Sequence, residues 1–280
     1  MKIFCVGLFR TGTTTMCEMF ARSFPSDHEF QVEDVLDTLV NRISGSMTDA
    51  EIRAFVRNRA ATKPLVMDSC GAHFGILDIL VEEFPEAKFL LTLRSVYSWM
   101  NSCVGKLYGD FVGGWGSRAG DFMNALTFLP DGTLLLEDRS GSKICLEQMM
   151  KAWVSINRRI QQVVPADRLL MLNTEELARS TGAIASFCGI EESLLDGCHS
   201  NPGQSSDFLK GFDAGKLQRL VDRHCSELMT ERYPGVTLAS HAGRAWSAAA
   251  PDGEELARYF TLDEFVPTEF VQTRIPSRSE

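Results

Sequence analysis

Apolar and β-branched positions run from Ile3 to Val6, stop at Gly7, and resume beyond Gly12 as Met16, Met19 and Phe20 at helical spacing. That pattern predicts a strand, a tight loop and a helix over roughly residues 13–23. His28 to Asp34 alternates apolar and polar side chains and predicts a second strand, with Glu33 and Asp34 at its carboxyl end. Thr48-Asp49-Ala50-Glu51 is a capping box opening a helix whose Ile52, Phe55 and Val56 face inward. Lys63 to Asp68 predicts a third strand, and His73, Ile76, Leu77, Leu80 and Phe84 mark the helix after it. Ala87 to Arg94 is almost continuously apolar, as a strand buried on both faces should be. Val96, Trp99, Met100 and Cys103 open the next helix.

Residues 104–145 lose this regularity, with glycines and aromatics interleaved, and predict a loop or lid insertion that lines a substrate site. Leu146, Met149, Met150, Trp153, Ile156, Ile160 and Val163 form a helical stripe that reads as core. A fifth strand over Arg168 to Asn173, a helix ending at Gly189 and one long helix near 214–232 follow. The last forty-five residues carry little periodicity. The alternation predicts one α/β/α domain over residues 1–280, with its core in about 1–235. A mostly parallel five-stranded sheet lies at its centre, and residues 236–280 form a C-terminal extension.

Composition narrows the partners. With a net charge of −9 the chain has no broad basic surface for nucleic acid, so any anionic ligand must meet a local cluster. Eight cysteines without a C-x-x-C pair read as small buried hydrophobes in a reducing compartment, not as zinc ligands. No apolar run approaches a membrane span, and the first strand flows directly into the loop rather than forming a signal peptide. A cytosolic protein without a membrane partner is expected; oligomeric state is not legible.

The chemistry concentrates in the first loop. Gly7 and Gly12 have the spacing of G-x-x-x-x-G-K-S/T, but Thr13 occupies the lysine position and the basic residue, Arg10, precedes the second glycine. Backbone N–H groups at a helix start and the hydroxyls of Thr11, Thr13, Thr14 and Thr15 make an anion site. In open parallel sheets ligands bind beyond the carboxyl strand ends, which places Glu33, Asp34, Asp68 and Arg94 near it.

Arg10-Thr11-Gly12-Thr13-Thr14 resembles the 5′-phosphosulfate loop of sulfotransferases, and Val66 to Ser102 resembles a second stretch of that family. The resemblance spans about residues 1–235. It implies a P-loop-like fold and 3′-phosphoadenosine 5′-phosphosulfate (PAPS) as donor. Arg94 and Ser102 match the residues that bind the 3′-phosphate. A small-molecule hydroxyl or amine would be the acceptor, with no metal. Thr15 stands where cytosolic members often carry a tryptophan under the adenine, Ser95-Val96 replaces a frequent Asp-Pro, and the C-terminal R-K-G element is not evident. Arg10 would neutralise charge on the transferring group. For the base, Glu33 ranks first, Asp68 second and His73 third. Two alternatives remain open: a nucleotide or small-molecule kinase with a degenerate loop, and an inactive cofactor-binding protein of the same fold.

Overall fold

The computed structural model describes residues 1–43, 45–112, 143–197, 206–244 and 248–262. Its elements, in chain order, are β1 (Ile3–Cys5), α1 (Thr13–Ala21), β2 (Ser26–His28), α2 (Val32–Ile43), α3 (Asp49–Thr62), β3 (Met67–Ser69), α4 (Leu77–Glu83), β4 (Lys88–Leu93) and α5 (Val96–Val112). The second half contributes β5 (Ile144–Cys145), α6 (Leu146–Val163), β6 (Leu169–Asn173), α7 (Thr181–Cys188), α8 (Ala214–His224), α9 (Ser226–Arg232), α10 (Leu238–Ala242), α11 (Gly253–Leu256) and β7 (Phe260–Thr261).

β1 is the middle of a five-stranded sheet ordered β2-β3-β1-β4-β6, and every pairing is parallel. Because side chains alternate across a strand, β1 serves both faces. Ile3 and Cys5 pack with Met16, Met19 and Phe20 of α1 and with Ile184 of α7. Phe4 and Val6 enter the larger cluster, with Leu80 of α4, Trp99 of α5 and Trp153 of α6. The result is the expected three-layer α/β/α arrangement. It directs the carboxyl ends of β1, β2, β3 and β4 to one edge of the sheet.

Several elements differ from the sequence reading. β2 ends at His28, and Glu33 and Asp34 lie in the first turn of α2 instead of closing a strand. Glu29 and Gln31 take positive φ of 62° and 49°, which breaks the extended run. Val32, Val35, Leu36 and Leu39 then sustain a helical period, and the two acids suit a helix start. Residues 104–112 continue α5 rather than opening the irregular stretch, and residues 113–142 of that predicted insertion lie outside the described residues. The long helix near 214–232 is two helices, broken at Cys225. Within the predicted C-terminal extension, β7 pairs with β5 through Ile144↔Phe260 and Cys145↔Thr261. The capping box at Thr48 and Glu51 forms as expected.

Candidate active site

The loop between β1 and α1 is held by its carbonyls. Trp99 Nε1 of α5 donates to the Phe9 carbonyl at 2.9 Å, Arg94 Nη1 to the Arg10 carbonyl at 3.3 Å, and the Thr174 hydroxyl to the Thr11 carbonyl. A trans peptide points its N–H opposite its C=O, so the N–H groups of Arg10 and Gly12 face away from these donors. Two positions in the loop admit only glycine. A Cβ on Gly7 would lie 2.0 Å from Thr92 Oγ1, and one on Gly12, at φ 98°, would lie 2.6 Å from Leu177 Cδ1. Arg10 itself is held at φ 63°, an uncommon conformation for a residue with a side chain.

Three predicted residues converge here. Arg10 Nε donates to Ser102 Oγ at 2.9 Å, and Arg94, at the end of β4, reaches the Arg10 backbone. Ser102, about two helical turns along α5 from its start, is therefore beside the loop arginine. Burial holds the Arg94 guanidinium below its ordinary pKa; Glu175 opposes this, and the nearby Arg10 and Arg244 cations add smaller downward contributions. Its Nε is buried without a hydrogen-bond partner. A half-buried cation with an orphaned donor favours an anion beside it.

The threonines divide into two groups. Thr13 Oγ1 and Thr14 Oγ1 lie 3.0 and 3.3 Å from His28 Nε2 at the end of β2. The Thr11 hydroxyl instead donates to the Leu8 carbonyl and meets Thr92 Oγ1 at 2.9 Å, and Thr15 is buried in α1. The Thr11 N–H also turns back, donating to the Leu8 carbonyl at 3.2 Å.

Two predicted bases lie away from this cluster. Asp68 projects to the opposite side of its strand from Ser69, whose hydroxyl meets the Thr13 carbonyl. Its carboxylate is gripped by both terminal nitrogens of Arg59, with Lys2 Nζ at 3.8 Å and His73 Nε2 at 3.5 Å. Burial alone would raise the Asp68 carboxyl, but the charges around it outweigh that and hold it below the ordinary range. His73 is fully buried edge-on to Phe4, and desolvation pushes its pKa down to about 4. Being neutral above that, it leaves Arg59 and Lys2 as the cations that keep Asp68 ionised. Both residues are core elements. Glu33 is exposed on the first turn of α2.

Two residues escaped the sequence reading. His28 was hidden inside the strand predicted to run on to Asp34, and ending that strand at Glu29 would have exposed it. Arg244 follows α10, bonds Ser98 Oγ at 3.0 Å and comes near Arg94, and no local pattern signals it.

Residues 2–191 match the family model described as a sulfotransferase domain, a span holding Arg10, His28, Arg94 and Ser102. The chain belongs to the sulfotransferase domain family. Among solved structures, a sulfotransferase from Alicyclobacillus acidocaldarius is 14% identical with a TM-score of 0.47, covering 85% of this chain and 97% of its own. The sulfotransferase domain of the curacin biosynthetic pathway is 13% identical with a TM-score of 0.37, over 71% and 78% of the two chains. That of the Synechococcus PCC 7002 olefin synthase is 17% identical with a TM-score of 0.37, over 91% and 92%. Membership rests on the family match over residues 2–191. No match was found among curated proteins. Among the described residues no cluster of metal-binding side chains occurs, and no helix is long and apolar enough to cross a membrane.

Proposed function

We propose that this sulfotransferase moves a sulfuryl group from PAPS to a hydroxyl or amine of a small-molecule acceptor. The observation that carries this reading is the convergence of Arg10, Arg94 and Ser102 beside the loop, with Arg244 near Arg94. A donor that carries several phosphate charges needs clustered cations, and the orphaned Arg94 Nε fits one of its anionic groups. Arg94, Ser102 and Arg244 would hold the 3′-phosphate. Arg10, the loop N–H groups and the Thr13 and Thr14 hydroxyls would face the 5′-phosphosulfate.

Transfer is an in-line displacement: the acceptor oxygen or nitrogen bonds to sulfur while the bond from sulfur to the 5′-phosphate oxygen breaks. The acceptor proton must leave with a base, and adenosine 3′,5′-bisphosphate departs with the extra negative charge. His28 is the group best situated to take that proton, because its imidazole touches the loop hydroxyls at the strand end. Glu33, the first choice from sequence, lies on the α2 turn beyond it. Arg10 would stabilise charge on the departing phosphate, and pre-set donors do this without reorganising.

Calorimetric titration with adenosine 3′,5′-bisphosphate and separately with ATP–Mg²⁺ tests the donor, with tight binding expected for the bisphosphate alone. Preference for ATP–Mg²⁺ would point to a kinase instead. A labelled-PAPS screen of phenols, alcohols and amines then reads turnover. There His28→Gln should lose about a hundredfold with bisphosphate affinity retained. A normal His28→Gln beside a slow Glu33→Gln would return the base to α2.

A further inference from the structure

We infer that Arg59, clamped to Asp68, is a positioning residue that holds the turn after β2 and thereby sets the His28 imidazole against the loop hydroxyls. The inference rests on His28 being the base.

Arg59 comes from the last turn of α3 and is itself buried. Its two terminal nitrogens take both carboxylate oxygens of Asp68, and Nη2 also donates to the Phe30 carbonyl at 2.7 Å. The guanidinium carbon lies 5.1 Å from the centre of the Phe30 ring. One side chain therefore joins the middle of β3 to the residue two places after His28, through a hydrogen bond and a stacked ring.

Phe30 is a telling place for such a tie, because its neighbours Glu29 and Gln31 both have positive φ. Non-glycine residues in that region are strained and persist only where surroundings over-determine them. Here the turn has two pins: the Glu29 N–H donates to the Ser69 carbonyl at 2.8 Å, and the Phe30 carbonyl accepts from Arg59. Ser69 in turn donates to the Thr13 carbonyl at 2.8 Å. The β3 pair Asp68–Ser69 thus reaches the histidine turn on one side and the phosphate-binding helix on the other. A buried ion pair is poor evidence for stability by itself. Its third bond, to the strained turn two residues beyond the base, gives this one a task.

Lysine at 59 can keep charge for Asp68 but lacks the planar fork that serves Asp68 and Phe30 together. The test is a double-mutant cycle with labelled PAPS and the best acceptor of the screen, transfer to water serving if none scores. Arg59→Lys should lower kcat about tenfold to thirtyfold and leave bisphosphate affinity within about twofold. In the His28→Gln background the same substitution should cost less than about twofold, since no imidazole is left to position. Arg59→Gln with Asp68→Asn neutralises both partners of the pair at similar volume, so it keeps the fold and must show the same split. Losses that multiply across the cycle, or a folded Arg59→Lys at full kcat, would overturn the positioning role while leaving the base in place. Full turnover in His28→Gln alone would remove the base assignment and this inference with it.

Discussion

Arg10 and Arg94 are neighbours with different expected signatures. Arg94 is half-buried and carries an orphaned Nε, and in the proposed site it would have no charge to offset during transfer, so its work would fall on binding. Arg94→Ala should weaken adenosine 3′,5′-bisphosphate by about 2–3 kcal/mol, the scale of a lost charge-assisted pair, as calorimetry would read it. Unchanged affinity in the folded variant would take the 3′-phosphate away from Arg94. In the proposed transfer Arg10 would face charge that grows as the bond from sulfur to the 5′-phosphate oxygen breaks. Arg10→Ala should therefore cut kcat about a hundredfold with a smaller loss of affinity. Equal losses would mean that Arg10 binds the ground state only. Its own side chain also holds Ser102, so Ser102→Ala is the control that separates the two contacts.

At the scale of elements, the site depends on how the ends of β1, β4 and β6 meet one loop. Thr174, just after β6, bonds the carbonyls of both Thr11 and Leu93, and Leu177 of the same segment fills the space above Gly12. Gly12 has to serve two demands, a left-handed φ of 98° and a gap too small for a methyl group. Gly12→Ala should destabilise by about 1–3 kcal/mol in denaturant unfolding and weaken bisphosphate through the displaced loop. A variant as stable as the parent would show that Leu177 yields without cost. The second strand teaches a related lesson. Residues 28–34 alternate like a strand, but two positive φ values end it at His28, and α2 starts where its apolar period begins.

For the molecule as a whole, the buried groups Asp68 and His73 tie stability to pH. The His73 pKa falls from 6.5 unfolded to about 4 folded, so between those values the unfolded chain binds a proton that the native one does not. Stability then rises with pH across that window and is lost as pH falls from 6.5 toward 4, by up to about 3 kcal/mol. Asp68, depressed in the fold, adds to the loss on the acid side as it is protonated. His73→Leu should flatten the dependence of unfolding free energy between pH 6.5 and 4. An equally steep slope in that variant would place the titration elsewhere.

The loop, its arginine, the central strands and the Arg94–Ser102 spacing were legible in the chain because each depends on residues close in sequence. A strand buried on both faces must be apolar throughout, and a helix start that receives an anion needs glycine and hydroxyl groups within a few positions. What the chain did not disclose depends on distant partners. Asp68 reads as a strand-end carboxylate until α3 folds back and Arg59 claims it, and His73 reads as a helix-face histidine until Phe4 and the sheet enclose it. His28 meets Thr13 and Thr14 only because β2 pairs beside β3, at the sheet edge nearest α1. Arg244 reaches the site from beyond the last long helices. Sequence thus determined the family of the chain and where its glycine loop lies. Tertiary packing decided which ionisable groups face that loop and which are spent in the core, because burial and pairing are properties of side chains brought together across the fold.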